Sequence, residues 1–382
     1  MNSPIIIGAD LGLVGDELRL ERKVYLKILD GVIARVYTDR VMNADKYYEE
    51  CIIVPGFINM HTHVADAIAK ERAYGLELKE VVAPPDGLKH KILSSTPENV
   101  LRTGIITTLK EMISRGIATF VDFREGGVEG AKLLRDVSRQ FGINAIIMGR
   151  PDGSPVDRLL SVADGLGLSS LNRFSDEELI TLREFARKHK KLIAYHASET
   201  PKQREKSVRK YGINDVIRGI KLLQPDFIVH LTYIDEHDAQ IIRDSGTLIV
   251  LCPRANGYFG LGPPPIELFY KIGINFCIGT DNVMVNSPDI FREFDYIIRI
   301  GRIQGVVIPP QKLLESVTVL PARHLGLKTG IIHKGYSADF FIFDLTRPNV
   351  SFVEDPIKAI VMRGTEANIV ATYIHGRMLY GM

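Results

Sequence analysis

Along the middle of the chain, short apolar runs that end in Gly, Asp, His or Asn alternate with stretches of helical periodicity. GFINMHTH (56–63), IATFVDF (117–123), INAIIMG (143–149), LLSVAD (159–164), LIAYH (192–196), DFIVH (226–230), TLIVLC (247–252) and INFCIGTD (274–281) read as strands. Their near-continuous Ile, Val and Phe content suits parallel strands covered on both faces. Between most of them the apolar spacing is helical, at 97–115 after a Thr-Pro start, 129–141, 176–189, 203–222 and 235–244. Eight strands alternating with helices predict an α/β chain whose residues 55–328 form a (β/α)8 TIM-like barrel.

The two ends follow a different pattern. Residues 4–54 carry IIIGADLGL, RKVYLKILDGVIARVYT and YYEECIIV, which alternate with period two around an Asp30-Gly31 turn. Residues 329–382 carry DFFIFDLT, IKAIVMRG and NIVATYIHGRMLYG, again β-like with Gly turns. The expectation is that 1–54 and 329–382 pair into one small β-sandwich domain beside the barrel.

Composition removes several classes. The 382 residues are 45% hydrophobic and 25% charged, ordinary values for a globular chain with a large core. With 48 Lys+Arg against 46 Asp+Glu, the formal charge of +2 gives no reason to expect a nucleic-acid or acidic-membrane partner. Basic runs at 187–191 and 202–210 sit on helical segments and read as solvated surface. Cys51, Cys252 and Cys277 are scattered, which fits a reducing compartment rather than a disulfide framework. No signal peptide and no membrane-length apolar run stand out, so the expected location is cytoplasmic. Walker A, Gly-x-Ser-x-Gly and helical HExxH motifs are absent, as is a His-x-Glu motif paired with Pro-Cys-x-x-Cys.

The candidate chemistry sits at the strand ends. His61 and His63 close the first strand, and period two puts both imidazoles on one side. By itself His-x-His is as easily a pair of turn histidines. His196 ends the fifth strand, His230 the sixth and Asp281 the eighth, so four of ten histidines and an aspartate meet at the C-terminal rim of one barrel. Three nitrogens and a carboxylate oxygen hold a divalent metal and leave a position for water, and imidazole plus carboxylate accepts Zn2+ or Fe2+. Glu199, three residues after His196, reaches over the pocket, where a carboxylate takes a proton from an activated water and passes it to a leaving group. His230 either ligates a second metal or contacts the water or substrate; we favour the second role. The expected fourth-strand end, LLSVADGLG, lacks the lysine that a bridged binuclear centre needs, which argues for one metal per chain.

PGFINMHTH, YHASET, the His of DFIVH and IGTD resemble the signatures of the amidohydrolase superfamily. They are most similar to its mononuclear deaminase and chlorohydrolase branch, and GIIHKGYSADFFIFD is similar to the segment where such chains re-enter the β-domain. The resemblance implies that His61, His63, His196 and Asp281 bind one metal, with Zn2+ favoured. It also implies that Glu199 shuttles protons, that His230 assists, and that Asp281 aims the water. Many relatives carry Pro-x-Ser-Asn after strand seven, whereas this chain reads Cys252-Pro253-Arg254-Ala255-Asn256, with Ala for Ser.

The implied activity is deamination of a purine- or pyrimidine-like small molecule. Hydrolysis of another bond at the same centre, a cyclic amide or C–Cl, is the alternative, and a catalytically silent binding protein is the third. Arg124 and Arg150, in the loops after strands two and three, are candidate substrate contacts, as are Asn256 and His90 in the long first loop, a candidate lid. Ion-paired arginines and a surface histidine are the competing readings. A homo-oligomer is compatible with the sequence.

Overall fold

The computed structural model describes residues 3–83, 86–151 and 153–381. Pro84 and Pro85 of the first loop therefore lie outside the described residues. The central element is a parallel barrel sheet of Phe57–His63, Ile117–Arg124, Asn144–Gly149, Gly165–Leu168, Leu192–Ala197, Phe227–His230, Leu248–Leu251 and Phe276–Ile278. Asp281–Asn282, just beyond the last of these, pairs in parallel with Thr62 and His63 of the first, so the sheet returns to its starting strand. Gly279 makes this closure possible, since a Cβ there would lie 2.6 Å from His61 Cβ. Asn59 ties the junction with Nδ2 donating to Thr280 Oγ1 (2.7 Å) and Oδ1 accepting from Thr280 N (3.0 Å).

Three sequence expectations need correction. Residues 159–164 are not the fourth strand; LLSV completes the helix Val156–Val162, which buries Leu159 and Leu160. The strand is Gly165–Leu168, GLGL. A Cβ on Gly165 would lie 2.5 Å from the Leu192 carbonyl oxygen, and one on Gly167 2.7 Å from the Phe123 ring. This strand packs too closely for β-branched residues, so it lacks the usual strand signature. The residues after it, SSLNRF, hold no lysine either.

Residues 203–222 form two helices, Pro201–Tyr211 and Asp215–Leu222. Gly212 ends the first in the left-handed region (φ 75°), and the Asn214 side chain caps the second by accepting from Ile217 N. IKAIVMRG is helical rather than β-like. Pro356 starts the turn, Asp355 caps it, and Ala359–Arg363 continue it as a wide helical turn.

The chain ends build a second sheet in the order Arg377–Gly381, Ile369–Ile374, Phe340–Asp344, Lys46–Pro55, Ile5–Val14, Arg19–Leu29, Val32–Tyr37. Its period-two alternation serves two cores. Ile52, Val54, Phe341 and Phe343 join the barrel core, while Cys51, Ile53, Phe340 and Ile342 pack with Ile7, Val24, Leu26 and Ile28 on the other face. The Asp30-Gly31 turn joins two of these strands with both residues at positive φ (48° and 81°), the geometry that matches right-handed strand twist. Among the described residues no helix is long and apolar enough to cross a membrane.

Candidate metal centre

His61, His63, His196, His230 and Asp281 all sit at the C-terminal ends of barrel strands, and all are buried. His230 (φ 77°), the last residue of its strand, and Asp281 (φ 59°), the first of the short strand Asp281–Asn282, adopt left-handed backbone. Such conformations cost on the order of 1–3 kcal/mol for residues other than glycine and persist where the surroundings over-determine them.

The side chains converge. His61 Nε2 lies 3.2 Å from His196 Nε2 and 3.3 Å from Asp281 Oδ1, and His63 Nε2 lies 3.5 Å from the same oxygen. His61, His63 and His196 have ring nitrogens mutually within 4.8 Å, as do His61 and His230 with Asp281. The far nitrogens settle which atoms carry protons. His63 Nδ1 faces the Phe123 carbonyl at 3.0 Å, and His196 Nδ1 faces the Leu168 carbonyl at 3.0 Å. A carbonyl only accepts, so each Nδ1 is the N–H and each Nε2 presents a lone pair.

Burial pushes the three imidazoles towards their neutral forms: His61 and His196 below the ordinary histidine value, and His63 to about 3. Burial alone would raise Asp281. Its hydrogen bond to His61 and the electrostatic influence of the His61, His230 and His63 rings more than offset that and hold its carboxyl well below the usual carboxylate range. The Nε2 lone pairs of His63 and His196 turned towards His61 Nε2 and a buried carboxylate make a donor set suited to a cation. The 3.2–3.5 Å separations fit this, since Zn–N bonds of about 2.0–2.1 Å at a tetrahedral centre put neighbouring donors roughly 3.4 Å apart. The donor set therefore fits one divalent ion.

Glu199 lies in the turn between its strand and the helix Pro201–Tyr211. Ser198 holds that turn by donating from N and Oγ to the two oxygens of Asp215, each at 2.7 Å. Glu199 Oε1 is 3.6 Å from His230 Nε2, and burial raises its pKa, with His230 opposing and Asp281 adding to the rise. His230 Nδ1 meets Asn256 Oδ1 at 3.2 Å, while Asn256 Nδ2 donates to Thr232 Oγ1 at 2.7 Å. Asn256 thus spends its side-chain amide on His230 and Thr232.

The remaining candidates separate. Arg150 Nη1 is 3.3 Å from Glu125 Oε1, which is itself 3.2 Å from His63 Nδ1. Arg124 turns away, its Nε donating to the Gly130 carbonyl at 3.1 Å. His90 is half-buried against the Val82 carbonyl (3.1 Å), and it lines with Arg124 and Arg173 a cavity of about 570 Å³ beside the centre. Sequence reasoning missed Lys89, whose Nζ lies 2.9 Å from Asp66 Oδ2 and 2.6 Å from Glu125 Oε1. Nothing in the pattern of the first loop separates this lysine from a surface one; Asp66, three residues after His63, was the one available hint.

Comparison with known proteins agrees with this arrangement. The sequence profile of the amidohydrolase family matches residues 52–379. A protein of Methanothermobacter thermautotrophicus is 33% identical over 96% of this chain and 97% of its own. The 5-methylthioadenosine/S-adenosylhomocysteine deaminase of Pyrococcus furiosus is 24% identical over 98% of this chain and 94% of its own. The crystal structure of an adenosine deaminase from Xanthomonas campestris with bound zinc superposes with a TM-score of 0.87 at 19% identity, covering 98% of this chain and 92% of that one.

Proposed function

The chain belongs to the amidohydrolase family, and on that premise we propose that it is a metal-dependent hydrolase that deaminates a purine- or pyrimidine-like heterocycle. The observation that carries the reading is the convergence of His61, His63 and His196, with Asp281 against His61 and His63 and Glu199 against His230. His61, His63, His196 and Asp281 hold one divalent ion. We assign Zn2+, the ion named with the Xanthomonas deaminase; the same donors accept Fe2+.

When bound, the ion supplies a Lewis acid and brings the pKa of a neighbouring water down to about 7. The chain's own groups do the rest. Asp281, ionised, accepts a hydrogen bond from the attacking water and aims it. Glu199 takes a proton from that water as the C–O bond forms at the amino-bearing ring carbon, and gives it to the adjacent ring nitrogen. His230, held by Asn256 with Nε2 towards Glu199, steadies the hydroxyl of the adduct. The C–N bond then breaks, the amino group leaves as ammonia with the hydroxyl proton, and the oxo-heterocycle remains.

The Pyrococcus relative is named for adenosine derivatives, so aminopurine nucleosides are the first substrates to try. The three cysteines are free and buried, which supports a cytoplasmic setting. The test is ammonia release from a panel of aminated nucleosides and bases, before and after chelation and zinc restoration. Release from none of them defeats the deaminase reading. A ring-opened acid or chloride among the products points to the other hydrolytic bonds.

A further inference from the structure

Lys89 is a lysine with 2% of its surface exposed, carried by the helix Leu88–Ser95 of the first loop. That helix docks through apolar contacts: its Leu88 and Ile92, with Val81 of the preceding helix Leu78–Val82, cluster with Phe259, Met284 and Val285 from the loops beyond strands seven and eight. The docked helix points one cation inward. Lys89 Nζ sits between Asp66 Oδ2 (2.9 Å) and Glu125 Oε1 (2.6 Å). Glu125 Oε1 is also 3.2 Å from His63 Nδ1 and 3.3 Å from Arg150 Nη1. One carboxylate oxygen therefore touches the lid's ammonium and the outer nitrogen of an imidazole whose Nε2 faces the metal position.

We propose that Lys89 is a positioning residue: it pins the helix Leu88–Ser95 over the barrel mouth and, through Glu125, orients His63. The inference rests on the metal reading above and adds to it a coupling between cover and centre. The His63 Nδ1 hydrogen bond goes to the Phe123 carbonyl (3.0 Å), and the Glu125 carboxylate 3.2 Å from the same nitrogen adds a charge that sets the basicity of the ligating nitrogen. With Lys89 in place, Glu125 divides its charge among three donors. With Lys89 withdrawn, that charge falls on His63 and Arg150, and Asp66 loses its cation. Closing the loop and preparing His63 are then one event. A lysine that only ties two loops together has no such link to the metal.

The test compares K89M, and D66N/K89M in which the leftover carboxylate is also neutralised so that the protein folds, with wild type. Three quantities are read on the full chain: Zn2+ affinity by chelator competition, the visible absorption of the Co2+-loaded protein, and amide hydrogen exchange of residues 88–95. We expect Zn2+ affinity to rise, by up to about the 10–100-fold that outer partners of ligating histidines contribute, because the charge released from Lys89 falls on His63. A changed Co2+ spectrum and faster exchange in that helix should accompany it, and K89R, which keeps the charge, should recover part of each. An unchanged Co2+ spectrum and affinity in folded D66N/K89M overturn the inference, as does unchanged exchange. Wild-type protein that takes up no divalent ion overturns the metal reading instead. None of these readouts needs a substrate, so they stand apart from the deaminase assay.

Discussion

Nε2 of His61 and Nε2 of His196, contributed by strands 135 residues apart, face each other across 3.2 Å. That separation matches two ring nitrogens bound to one cation. Chelation should therefore abolish ammonia release and lower the melting temperature, and Zn2+ should restore both. Free ion at a thousand times its dissociation constant stabilises the native state by about 4 kcal/mol. A calorimetric scan with and without chelator measures this. An identical melting temperature in both would falsify the metal assignment.

Glu199, 3.6 Å from His230 Nε2, is proposed to move protons without holding the ion. E199Q keeps the size of the side chain and removes its basicity, so turnover should fall by roughly 10²–10⁴-fold. Bound metal, read by elemental analysis, should stay at the wild-type level. Loss of metal in this variant would instead make Glu199 a ligand.

Asn256 acts through His230. N256A leaves His230 Nδ1 without its acceptor, a loss of about 1–3 kcal/mol for a buried group. If part of that appears in the barrier, kcat falls about tenfold while KM changes little. Steady-state kinetics on the substrate found by the panel decide. A change confined to KM would return Asn256 to the role of substrate contact.

Gly279 is required by the closeness of His61. A Cβ would sit 2.6 Å from His61 Cβ and 2.7 Å from its backbone nitrogen, neither of which is a flexible chain end. G279A should destabilise the fold by about 1–3 kcal/mol, the usual cost of overpacking, and weaken metal binding together with it. Thermal melts and metal content of the purified variant check both effects.

Glu293 gives a pH signature away from the centre. Burial raises its pKa from 4.5 to about 8, with Arg254 opposing. Between those values the native state keeps a proton that the unfolded chain has released. Stability from this group is therefore full below pH 4.5 and is lost as pH rises through about 8. The slope is at most about 1.4 kcal/mol per pH unit. E293Q should flatten the fall in stability across this window in chemical denaturation curves. A slope equal to wild type would mean that Glu293 is already ionised at neutral pH.

The centre was legible in the sequence because its side chains sit where the apolar pattern stops. A run such as LIAYH or DFIVH declares a buried strand, and its terminal histidine is then placed at the barrel rim by topology alone. Asp281 was placed the same way, although its strand breaks at Gly279-Thr280 to close the sheet. The fourth strand was misplaced because GLGL carries no propensity of its own; its glycines answer to Phe123 and Leu192, residues far off in the chain.

What the sequence determined by itself was the set of strands that can only be buried, and with them the residues that reach the mouth. Local pattern is enough there, since burial on both faces is written into each run. Which groups stand behind those residues was decided only by the tertiary structure. Lys89 meets Glu125, and Asn256 meets His230, across loops whose composition looks ordinary. A buried ion pair or a hydrogen bond to an imidazole depends on where two distant backbones come to rest, and no periodicity along either segment records that distance.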